Sequence, residues 1–116
     1  MIDLPLTSDE LVREIIAINQ AWKLTRESET YGPSSPMARE FRNLKSRLQV
    51  RLLRQYPELV YLELDDIQEE ESEPLFGVRL RRKIWGRSDA AHLPCRVAEE
   101  LLEPSELENF LGPVDN

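Results

Sequence analysis

The segment from Pro36 to Tyr56, PMAREFRNLKSRLQVRLLRQY, restricts the fold more than any other part of the chain. Met37, Phe41, Leu44, Leu48 and Leu52 recur at steps of three and four, which places them in one stripe along a helix over about 36–56. Such a stripe has to be buried against a second element. The remaining positions carry Arg39, Arg42, Lys45, Arg47, Arg51 and Arg54 against the single acid Glu40, a balance of +5. A strongly cationic helix therefore sits within a chain whose net charge is -7.

The partner is legible upstream. Thr7 to Glu10 reads TSDE, a hydroxyl followed three residues later by a carboxylate, which satisfies the free amides of a helix start from both directions. A helix over about 8–27 follows, with Leu11, Ile15, Ile18 and Trp22 as its stripe and Val12 and Ile16 widening it. Asp9 and Glu10 at its start and Lys23 and Arg26 near its end suit the macrodipole. The stretch SETYGPSSP breaks the pattern with Gly32 and Pro33, after which Ser35 can cap and Pro36 can open the second helix. Two amphipathic helices joined by a short break predict an antiparallel αα-hairpin that buries Ile15, Ile18 and Trp22 against Phe41, Leu44 and Leu48.

Beyond Pro57 the apolar period drops to two. Val60, Leu62 and Leu64 share one face of a strand over about 58–65, and Phe76, Val78 and Leu80 share one face of a strand over about 75–84. The acidic run between them reads as a loop, so the two strands form an antiparallel hairpin in which Glu63 would face Arg79. GRSDAAH reads as a second break. LPCRVAEELLEP then predicts a helix over about 94–102 with Val97, Ala98, Leu101 and Leu102 inward, the alternative being an edge strand over 92–98. SELENFLGP predicts a last short helix over about 105–111, capped by Ser105 with Glu108. The fold class is α+β: an αα-hairpin packed with a two-stranded β-hairpin and two short C-terminal helices, in a single domain over 1–116.

Composition narrows the function classes. The acidic N-terminus broken by Pro5 is no secretory signal, no apolar run reaches the ~18 residues of a membrane span, and one cysteine allows no internal disulfide. These features favour the cytoplasm. Gly32, Gly77, Gly86 and Gly112 are isolated, so no phosphate-cradling loop is present. With one histidine and one cysteine, no nucleophile, base and orienting group can be nominated, and no cofactor is implied. His92 and Cys95 supply at most half of a zinc site. The carboxylates from Glu63 to Glu73 match no calcium loop, and the strand GVRLRRK offers no acid beside a lysine for a metal-dependent nuclease. Cys95 beside Arg96 at a helix start could be activated, but a buried, inert thiol is the plainer reading.

Arginine carries the functional weight, with twelve against three lysines. Residues 75–88 hold five bases and no acid, and with the +5 of the second helix they leave -17 for the rest of the chain. The charges either neutralise one another across the fold or leave a basic face on an acidic body. The sequence therefore predicts a non-enzymatic accessory or regulatory protein that docks on a partner protein through a charge-segregated surface. Arg79, Arg81, Trp85 and Arg87 are the first candidates for contact and Arg42, Arg47 and Arg51 the second, because arginines and aromatics anchor interfaces. The alternative is a nucleic-acid-binding regulator that sets the same arginines on phosphates. The apolar stripe of the hairpin would be buried within one chain or completed by a second copy in a homodimer.

Overall fold

Helix starts follow the chemistry written into the sequence. In the computed structural model, which describes residues 6–65 and 73–112, α1 spans Ser8–Arg26 and α2 spans Pro36–Gln55. Thr7 Oγ1 accepts from the Glu10 amide at 3.1 Å while Glu10 accepts from the Thr7 amide at 2.9 Å, closing the capping box. Ser35 Oγ accepts from the Ala38 amide at 3.1 Å, and Pro36 stands in the first turn of α2. The two helices pack side by side, with Leu11, Val12 and Ile15 of α1 and Leu52 and Leu53 of α2 in the core. Each such side chain contributes about 1.5–3 kcal/mol on burial.

The buried face of α2 differs from the expected stripe. It is made by Ala38, Lys45, Ser46, Gln49, Val50, Leu52 and Leu53, whereas Met37 is 42% and Leu44 37% exposed and Phe41 and Leu48 are half-buried. The reason is topological. α2 packs against α1, the sheet and a third helix at once, so it buries a broad arc that takes in polar positions. Gln49 shows what this accomplishes, since its Nε2 donates to the carbonyls of Ala90 at 2.8 Å and His92 at 3.2 Å. Those carbonyls flank Ala91, whose φ of 66° makes the strand irregular, so the Gln49 amide serves backbone groups at the point where the strand departs from regular geometry.

The sheet has three antiparallel strands, β1 (Val60–Asp65), β2 (Leu75–Ile84) and β3 (Arg87–Pro94), in that spatial order. The two-stranded expectation is corrected by β3, which occupies the stretch GRSDAAH read as a break. Its turn is Trp85–Gly86, with φ of 54° and 72° between the paired Ile84 and Arg87, a hairpin turn with both central residues left-handed. Trp-Gly is not the usual signature of such a turn, and Ser88, Asp89, Ala90 and Ala91 lack strand character. The register pairs Val60 with Leu80, Leu62 with Val78 and Leu64 with Phe76, as the apolar alternation requires. Glu63 stands opposite Gly77, and Tyr61 opposite Arg79, one diagonal step from the expected pairing.

Helix α3 is Cys95–Leu101, beginning as β3 ends at Pro94, and α4 is Pro104–Phe110. The cap of α4 is Glu103 with Glu106, not Ser105 with Glu108, because Pro104 opens this helix instead of merely ending the last one. Leu111 then bridges to Leu62, which sets the Gly112 amide 2.6 Å from the Leu62 carbonyl. The acidic loop expected between the first two strands, with Asp66, Glu69, Glu70 and Glu71, lies outside the described residues. No helix among the described residues is long and apolar enough to cross a membrane.

Candidate functional site

The first-choice contact residues lie on two surfaces, and two of them, Arg79 and Arg87, are paired with carboxylates of the same fold. Arg79 projects from the outer face of the sheet, where Asp65 holds it in a short ion pair and Glu63 adds a second at 3.3 Å. Asp65 also takes His92 Nε2 at 2.7 Å. This group packs over Gly77, where a Cβ would lie 2.8 Å from Asp65 Oδ2, so the glycine makes room for it. Arg81 lies over the Tyr61 ring at 4.7 Å. Trp85 and Arg87 are elsewhere, at the β2–β3 turn, beside Arg13 and Ile16 of α1. Trp85 is 63% exposed, yet its Nε1 donates to the Asp9 carbonyl at 3.1 Å and Arg13 stands 5.5 Å from its ring centre. Arg87 folds back on the Asp89 carboxylate at 3.1 Å, and Arg82 reaches Asp9 at 3.6 Å.

The second-choice set has a different fate. Arg42, Arg47 and Arg51, joined by Arg39, make no ion pair with any described carboxylate. Two grooves run along this side of α2. One, of about 400 Å³, is lined by Arg39, Arg42, Asn43, Ser46 and Arg47 against Arg96, Val97, Glu100 and Leu101 of α3. The next, of about 290 Å³, continues past Arg47 and Leu101 to Arg51, Arg54 and Gln55. Ser46 Oγ is buried at the first groove and has no hydrogen-bond partner among the described residues. The borders are neutralised: Arg54 grips Glu106 with two bonds of 2.9 Å and the Leu101 carbonyl at 3.1 Å, and Arg96 holds Glu73 at 3.1 Å and Glu100 at 3.4 Å. The Arg54 guanidinium accordingly holds the Glu106 carboxyl below its ordinary pKa.

Lys45, expected among the outward cations, is instead 3% exposed. Its Nζ donates to Asn19 Oδ1 at 3.2 Å and lies 4.6 Å from the centre of the Trp22 ring. Arg26 stands over the same ring at 4.7 Å, so the tryptophan expected in the apolar core is half-buried between two cations. A cleft of about 180 Å³ opens here, bounded by Lys23, Arg26 and Arg42 on the helices and by Glu73, Leu75, His92 and Pro94 from the sheet side. Burial, with added repulsion from Arg42, Lys23 and Arg26, pushes the Lys45 ammonium down to about 8.

Sequence reasoning missed Lys45, Gln49 and the Asp65–His92 contact. For the helix residues a signal existed: Ala38, Lys45, Gln49, Leu52 and Leu53 keep helical spacing, but two of them are polar and are discounted by any apolar stripe. Nothing local announces that Asp65 and His92 meet across β2. Cys95 is buried, and burial together with the carboxylates Glu99 and Glu73 pushes its thiol up, which disfavours the activated form. Among the described residues no group of three or more His, Cys, Asp or Glu side chains is placed to hold a metal ion. No protein-family model matches this chain, and neither a curated protein nor a solved structure does.

Proposed function

We propose that this chain is a binding protein, an accessory or regulatory partner that takes an acidic segment of another protein along the outer side of α2. The observation that carries this reading is the contrast between the two arginine sets. On the sheet, Arg79, Arg82 and Arg87 already have carboxylates and Arg81 lies over the Tyr61 ring, whereas Arg39, Arg42, Arg47 and Arg51 follow one another along α2 with no carboxylate among the described residues. Guanidinium groups in a row favour bidentate carboxylate contacts, and Val97 and Leu101 supply apolar contact within the same grooves. An acidic peptide suits the surface better than a nucleic acid does, because the body's net charge of -7 repels a long polyanion that must extend past the patch.

The test is direct binding of a glutamate-rich peptide and, separately, of a single-stranded oligonucleotide of matched length. The reading expects the peptide to bind at low salt and to weaken about tenfold or more in an Arg47→Glu/Arg51→Glu variant, with little change in Arg81→Ala. Equal losses in both variants, or binding of the oligonucleotide alone, would overturn it. The second outcome would move the assignment to a nucleic-acid-binding regulator.

A further inference from the structure

We infer that the cleft between the C-terminal half of α1 and the middle of α2 is a binding site for the phosphate group of a small molecule, with Lys45 at its base. Three observations carry the assignment. Lys45 is almost wholly buried, yet its recorded contacts are a neutral amide, Asn19, and the face of Trp22. A charge removed from water in this way is stable only with a counter-charge, and none of the described carboxylates supplies it. Glu73, the one described acid at the cleft, is turned to Arg96, and Asp65 is engaged by Arg79 and His92.

The second observation is the company Lys45 keeps. Lys23 and Arg42 line the cleft and make no ion pair with a described residue, so the walls repeat the charge at the base. Lys45, Lys23 and Arg42, with Arg26 also on the lining, make four cations around one cleft, which match a dianionic phosphate better than a single carboxylate. The third is the space itself. At about 180 Å³ the cleft is smaller than the ~300–1,000 Å³ of most drug-sized ligand pockets, and it suits a compact anion or the phosphorylated end of a small metabolite. Trp22 already has Lys45 and Arg26 over its ring, so recognition falls to charge and hydrogen bonds and not to stacking.

Trp22 is also the reporter. In a Trp85→Phe background it is the single tryptophan, and inorganic phosphate titrated onto the full chain should change its emission saturably. Lys45→Met should weaken that response about tenfold or more, the loss of one charge-assisted hydrogen bond. Lys23→Gln, at an exposed position with no ion pair to a described residue, should weaken it about threefold. Acetate and succinate should produce no saturation in the same range. A response to phosphate that never saturates, one that survives in both Lys45→Met and Lys23→Gln, or one given by the carboxylates alone would each overturn the assignment. A thermal melt of each variant confirms that it is folded, and a change confined to the unfolded fraction counts against the site.

Discussion

Lys45 shows how much a single side chain can hide. Followed by a serine and an arginine and set opposite an apolar stripe, it reads as one more surface cation, and only the packing of α2 against three neighbours turns it inward. Its lowered pKa is a stability statement. The folded chain binds that proton less tightly than the unfolded chain, so a penalty of roughly 3 kcal/mol is present in full below about pH 8 and fades as pH rises towards the unfolded value of 10.5. Urea denaturation should therefore show the wild type gaining stability between pH 8 and 10.5 relative to Lys45→Met. At pH 7 the methionine variant should be the more stable by about 1–3 kcal/mol. A methionine variant less stable than wild type at pH 7 would mean that Asn19 and Trp22 compensate the charge in full. Gln49 behaves oppositely, because its amide serves the two carbonyls of β3. Gln49→Leu should cost about 1–3 kcal/mol in the same experiment by leaving both without a partner.

The elements differ in how openly the sequence announces them. α1 and α2 are bounded by local chemistry, a capping box at Thr7 and Glu10 and a serine cap with proline at Ser35 and Pro36, and both boundaries are legible to within a residue. β1 and β2 follow from strict alternation, and their register from the need to bury both apolar faces. β3 follows from neither. Its turn uses a tryptophan at φ 54°, a conformation that disfavours bulky side chains, and Ala91 at φ 66° marks a further irregularity, with Gln49 donating from across the core to the carbonyls on either side of it. β3 pairs chiefly with β2 across that two-residue turn, but neither its turn residues nor its composition marks residues 87–91 as strand. Gly77 leaves no room on the sheet for a side chain. Gly77→Ala would press a methyl group onto Asp65 and Arg79, and should destabilise the fold by about 1–3 kcal/mol in chemical denaturation while leaving the helices' capping intact. An alanine variant as stable as wild type would show that the Asp65–Arg79–His92 group is loose enough to yield.

Taken whole, the molecule sorts its charges. Acids on the sheet, at the start of α1 and near the C-terminal helices pair with Arg54, Arg79, Arg82, Arg87 and Arg96, so two of the arginines that the sequence makes most prominent, Arg79 and Arg87, are neutralised within the fold. Among the described residues the largest set of arginines on one element without a carboxylate is on one side of α2, where the helix carries no acid of its own beyond Glu40 and Glu100 of α3 is turned to Arg96. The charge segregation was readable from the sequence; which half of it stays open to a partner depends on pairings such as Asp65 with Arg79 that the fold alone creates. Amide chemical-shift mapping with the glutamate-rich peptide decides the matter. The account predicts that the perturbed amides cluster at residues 39–51 and 96–101. Perturbations centred on 79–87, or none at any peptide concentration, would contradict it.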